Sequence, residues 1–122
     1  MIYPLIGVRL HGWLDDLVAL TYLAGIWILG LRGVPGVIAA GGAIVHFLLT
    51  RFTDYPRGAV KLIPFRTHAF IELGEGMAVL AATWLLSTDA PPSGRIFLTF
   101  MGLSQLVAFG FSDYGPRAAP TT

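Results

Sequence analysis

The sequence predicts an all-α membrane protein with four transmembrane helices, arranged as two tandem, parallel helical-hairpin repeats. Three observations carry that prediction. First, the 122 residues are 55% hydrophobic and only 12% charged, with a mean hydropathy of +0.71. A water-soluble domain carries about a quarter charged residues. So little polar surface cannot cover a small globule in water, and a bilayer removes the need. Second, four apolar runs stand between helix breakers, each near the roughly 20 residues that cross a ~30 Å hydrocarbon core. Third, the second half of the chain echoes the first.

Taken in order, span one runs from about Trp13 to Leu31, preceded by a turn or more beginning near Pro4. Span two runs from about Val34 to Phe52, span three from Thr67 to Leu86, and span four from Ile96 to Phe111. None alternates with period two along its length, which favours helices over barrel strands. Arg32-Gly33-Val34-Pro35-Gly36 reads as the first tight turn, and Thr88 to Gly94, with Pro91 and Pro92, as the third. The middle connection, Thr53 to Pro64, is longer. Asp54 as a cap, Pro56 at a first helical position and apolar Val60, Leu62 and Ile63 predict a short helix lying in the membrane interface. The Ala/Pro/Thr-rich tail after Pro116 reads as disordered.

The echo is specific. Val8-Arg9-Leu10-His11-Gly12-Trp13-Leu14-Asp15 and Phe65-Arg66-Thr67-His68-Ala69-Phe70-Ile71-Glu72 both read Arg-x-His-x-x-x-carboxylate. Both lead to a Trp at the same offset, Trp27 and Trp84. After spans two and four come Thr53-Asp54-Tyr55-Pro56 and Ser112-Asp113-Tyr114-Gly115-Pro116. Within a single membrane domain over residues 1–122, repeat one covers about 8–56 and repeat two about 65–116. Two spans per unit make the copies parallel, related by an approximate two-fold along the membrane normal.

Basic residues set the expected orientation. Arg9, Arg51, Arg57, Lys61, Arg66 and Arg117 lie on the side of the termini and middle loop, against Arg32 and Arg95 on the other. Six against two predicts an inner-membrane protein with both termini and the middle loop cytoplasmic. Asp15 and Asp16 interrupt the first apolar run and no basic segment precedes it, so span one is expected to be retained rather than cleaved as a signal peptide. The chain has no cysteine, which excludes disulfides, thiolate metal sites and thiol catalysis. No phosphate-cradling loop or nucleophile elbow occurs, and the basic residues are spread along one membrane face, so nucleic acid is not an expected partner.

The residues with chemistry are the ionisable groups inside the spans. His11 and Asp15 are four apart and share a helix face, as do His68, Glu72 and Glu75, while Asp16 points away from His11. His46 sits at a similar depth in span two. Three readings follow. In a structural clasp, Arg9, His11, Asp15, Arg66, His68 and Glu72 tie spans one and three together with no cofactor. In a second, His11, His68, His46, Asp15, Glu72 and Glu75 supply ligands to a transition metal, or His11 and His68 to a haem. In a third, His46, Glu72 and Glu75 mark a proton or ion route. Small residues at packing spacing, above all Gly74/Ala78/Ala82, with Gly36/Ala40, Ala39/Ala43 and Ser104/Ala108, are expected at helix contacts. Trp13, Trp27 and Trp84 read as interface-belt residues.

Two copies of a two-helix unit, Arg-x-His opening the first helix, a Trp near its end, and Thr-Asp-Tyr leading to Pro-x-Arg-x-His together resemble the SPW-repeat membrane proteins. The resemblance covers all four spans. It implies a small integral membrane protein of bacterial or archaeal type with no established activity, and it lends no catalytic residues. Where that family writes Ser-Pro-Trp, this chain has Gly25-Ile26-Trp27 and Ala82-Thr83-Trp84, so the kink a proline would bring is not expected. The resulting expectation is a structural or accessory protein rather than an enzyme. Its partners are the lipid bilayer and, within it, other membrane proteins or a second copy.

Overall fold

A computed structural model describes residues 4–115. The expected disordered tail, with Arg117, lies outside the described residues. The fold is all-helical: α1 Val8–Ile28, α2 Gly33–Arg51, α3 Phe65–Leu86 and α4 Pro92–Phe111. Three of these, α2, α3 and α4, are long and apolar enough to cross a membrane. The fourth, α1, matches them in length with 21 residues but carries His11, Asp15 and Asp16.

The turns differ from the sequence expectation in a regular way: the breakers fall inside the helix starts. The first turn is Leu29 to Arg32, where Gly30 takes a φ of +61°. Leu31 N–H reaches back to the Ile26 carbonyl at 3.0 Å, closing α1 with the six-residue bond that a left-handed glycine permits. Pro35 sits in the first turn of α2, and Pro92, Ser93 and Gly94 in the first turn of α4. Proline is harmless there because the first N–H groups of a helix have no partner inside it.

The middle connection forms no helix, contrary to expectation. It doubles back on itself. Ala59 and Val60 N–H groups bond the Arg51 carbonyl at 2.8 and 2.9 Å, and Ile63 N–H bonds the Phe52 carbonyl at 2.8 Å. These loop donors satisfy the terminal carbonyls that α2 leaves open, which competes with continuing as a helix. The reversal requires glycine at position 58, since a Cβ there would lie 1.8 Å from the Thr53 carbonyl oxygen.

Either end of each hairpin is tied in the same way. Asp54 N–H bonds the Ile63 carbonyl at 2.8 Å, and Asp113 N–H bonds the Ile6 carbonyl at 2.9 Å. The residues that follow α2 and α4, Thr53 and Ser112, thereby form short parallel bridges with Ile63 and Ile6, which precede α3 and α1.

α1 packs mainly on α2, and α3 on α4; α2 also meets α3 and α4, and α4 meets α1. α1 and α3 therefore lie across the bundle from each other and meet through long side chains. The polarity of the bundle is inverted relative to a water-soluble one. Leu20, Trp27, Ile28, Val37, Leu85 and Phe100 are exposed, while His11, Asp15, His46, His68, Glu72 and Gln105 are buried. Lipid-compatible surface with polar groups turned inward is the pattern a bilayer selects. The apolar core is small: Tyr22, Ala39, Val79, Leu98 and Met101, with Val18, Ile26 and Phe97 packed around it.

The expected packing row on α3 is overturned. Gly74 and Ala78 are exposed, and a Cβ at Gly74 would meet nothing within 4 Å. The close helix contact is instead Gly76 against Gly102, where a Cβ on either residue would lie 3.0 Å from the other's carbonyl oxygen. Gly74 and Gly76 are equally small, but only Gly76, on the face of Glu72 and Val79, turns inward. Gly74→Leu is therefore expected to change unfolding stability in detergent by no more than about 0.5 kcal/mol. A loss of several times that would mean the row has a packing partner.

Candidate functional site

The site grows from four positions that the helical repeat places on inward faces. His11 and Asp15 stand one turn apart on α1, and His68 and Glu72 one turn apart on α3. All four are buried, none more than 1% exposed. His11 Nε2 lies 3.3 Å from His68 Nε2, 3.3 Å from Asp15 Oδ1 and 3.2 Å from Glu72 Oε2. His68 Nε2 lies 3.2 Å from Asp15 Oδ2 and 3.8 Å from Glu72 Oε2.

Each imidazole is held from behind by a hydroxyl. His68 Nδ1 is 2.7 Å from Thr53 Oγ1, and His11 Nδ1 is 2.6 Å from Ser112 Oγ. Thr53 also donates its hydroxyl hydrogen to the Leu49 carbonyl at 2.6 Å. It has only one hydrogen to give, so it accepts from His68 Nδ1–H, and the Nε2 atom of a neutral His68 turns a lone pair into the cluster. Asp15 is the hub. Its Oδ2 accepts from the Tyr55 hydroxyl at 2.6 Å, and its Oδ1 lies 3.2 Å from His46 Nε2. Burial, with the Asp15 charge behind it, pushes the Tyr55 phenol up from its usual range, which favours the protonated, donating form.

His46, on α2, links the cluster to a second set of groups. Its Nδ1 is 2.9 Å from Glu75 Oε2, and Gln105 Nε2 stands 3.4 Å away. A carboxylate only accepts, so an imidazole between Asp15 and Glu75 serves both by donating from both nitrogens. Gln105 in turn accepts from the Tyr22 hydroxyl at 2.7 Å. The polar network thus draws on all four helices and the middle loop.

His11, Asp15, His46, His68, Glu72 and Glu75 all fall within this network. Arg9 and Arg66, expected in the clasp, are exposed, because a residue two places from a histidine points to the opposite side of the helix. Arg51 and Arg57 instead reach a carboxylate, and both bind Asp16 at the rim. Arg57 Nε donates to Asp16 at 2.8 Å, and its guanidinium lies 3.9 Å over the Trp13 ring. Trp13 is therefore an arginine platform as well as an exposed indole. Trp27 is exposed, and Trp84 donates to Thr99 Oγ1 at 3.0 Å.

Thr53, Tyr55, Ser112, Gln105 and Tyr22 did not stand out as site residues. A signal for three of them was present in the Thr-Asp-Tyr and Ser-Asp-Tyr echo. A signal for Gln105 emerges only when the second helices are aligned on that echo, which sets His46 opposite Gln105. No protein family, curated protein or solved structure matches the chain. Two Nε2 atoms and two carboxylates converge where all four residues are buried, and buried negative charge calls for positive charge beside it, as protons or as a cation.

Proposed function

We propose that this chain is a small four-span membrane protein of the SPW-repeat type, whose buried histidine–carboxylate cluster clasps two tandem hairpin repeats together. One observation carries the reading: the crossed hydroxyl bonds. Thr53, which follows α2, orients His68 on α3, and Ser112, which follows α4, orients His11 on α1. Each hairpin thus positions the histidine of the other, as two copies related by an approximate two-fold would. The matching backbone ties at Ile6 and Ile63 support the same relation.

A fourth span through α1 is supported by its exposed Trp13, Leu17, Leu20, Leu23, Trp27 and Ile28, with His11 and Asp15 turned inward. Its remaining acid, Asp16, is matched by Arg51 and Arg57 at one end. The six-to-two distribution of basic residues supports termini and middle loop in the cytoplasm. As a clasp, the protein acts structurally or as an accessory within the bilayer.

Reporter fusions test the architecture. Fusions after Val60 and after Gly115 are expected to read out as cytoplasmic, and one after Asp89 as external. An external readout at Val60 would overturn the orientation. Opposite readouts at Val60 and Gly115 would overturn the even number of spans between them.

A further inference from the structure

We propose that the His11, Asp15, His68 and Glu72 side chains form a binding site for one first-row transition-metal dication. The inference rests on the clasp reading above and names what fills its centre. Its first support is the spacing of the donor atoms. A tetrahedral ion with bonds of about 2.0–2.2 Å to imidazole nitrogen and carboxylate oxygen requires its ligand atoms about 3.3–3.6 Å apart. His11 Nε2 lies 3.3 Å from His68 Nε2 and 3.2 Å from Glu72 Oε2, and His68 Nε2 lies 3.8 Å from Glu72 Oε2. Asp15 meets the two rings with its two different oxygens, Oδ1 at 3.3 Å from His11 and Oδ2 at 3.2 Å from His68. Ligand atoms from all four residues lie within 4.8 Å of one another.

A second, independent support is an unsatisfied atom. Glu72 Oε2 is buried and makes no hydrogen bond among the described residues, although His11 Nε2 is only 3.2 Å away. The two atoms are close without an N–H directed between them, which is how two ligands of one ion stand. A buried carboxylate oxygen left in this way costs free energy unless a cation meets it.

The surroundings fit as well. Thr53 fixes the His68 tautomer that turns Nε2 toward the centre, and Ser112 holds His11 from the corresponding side. Tyr55 and His46 brace Asp15. Metal sites are built with hydrogen-bond partners of this kind behind each ligand. The charge of the ion suits the site as well, since a dication offsets the two carboxylates of Asp15 and Glu72. Imidazole and carboxylate donors suit Zn2+, Fe2+, Mn2+ and Co2+ rather than Ca2+ or Cu+.

The test is made on the full chain purified in detergent, stripped with a chelator and titrated with Zn2+ and with Co2+. Stoichiometric binding is expected, with the visible d–d absorption of tetrahedral Co2+. Thr53→Ala should weaken binding about 10–100-fold, as loss of a partner behind a ligand does. Glu72→Gln, nearly isosteric, should abolish the cobalt spectrum, and the exposed Arg66→Gln should leave it unchanged. A wild-type protein that takes up no metal and gives no cobalt band would overturn the site. If His68→Ala still lowered its melting temperature, the clasp would stand without a metal. If His68→Ala left melting of the metal-free protein unchanged, the clasp would fall instead. Binding that survives Glu72→Gln and His68→Ala together would place the metal elsewhere and overturn the assignment.

Discussion

Asp15→Ala is expected to cost about 3–5 kcal/mol of unfolding stability, the range for removing one member of a buried ionic set. The size follows from what Asp15 holds. It accepts from Tyr55 in the middle loop and faces His46 on α2 and His68 on α3. Its loss strands the Tyr55 phenol and the His46 Nε2–H at once, and a stranded buried donor costs more than the bond it loses. Detergent unfolding followed by circular dichroism would measure the effect. A change below about 1 kcal/mol would mean that the cluster holds nothing together. His11→Ala and His68→Ala should each destabilise by less, because each imidazole is one of several facing Asp15. The double variant should cost less than the sum of the singles, since the two rings touch and share both carboxylates. Additive losses would mean that the rings act separately.

Gly76→Leu and Gly102→Leu should each cost about 1–3 kcal/mol or more through overpacking. At Gly76 the obstruction is the Gly102 backbone carbonyl 3.0 Å from the added carbon, with Gln105 Cβ at 3.1 Å. A carbonyl in a helix cannot rotate aside as a side chain can, so α3 and α4 must separate. Separation would also pull Gln105 from the Tyr22 hydroxyl, coupling the packing fault to the polar network. The same detergent unfolding assay, run beside Gly74→Leu, discriminates the two glycines. Equal effects at Gly74 and Gly76 would contradict the helix rotation described above.

The sequence by itself determined the elements. Four apolar runs, their breakers and the histidine–carboxylate spacings are local, and the four helices lie where the runs predicted, to within a few residues. Apolar length alone marks α2, α3 and α4 as able to cross a membrane. The spacing of His11 with Asp15 and of His68 with Glu72 likewise placed each pair on one face, because the helical repeat sets that whatever the neighbours are. The tertiary structure alone decided which faces turn inward. In a chain whose outer surface is itself apolar, hydropathy does not distinguish inside from outside. Gly74 and Gly76 are equally small, and only the position of α4 makes one of them a contact. Asp15 and Asp16 are adjacent, yet about 100° of helical rotation sends one to the histidines and the other to Arg51 and Arg57. Thr53, Tyr55 and Ser112 lie outside the helices, and they reach the cluster only because the chain folds back beneath it, a route fixed by backbone hydrogen bonds between distant residues.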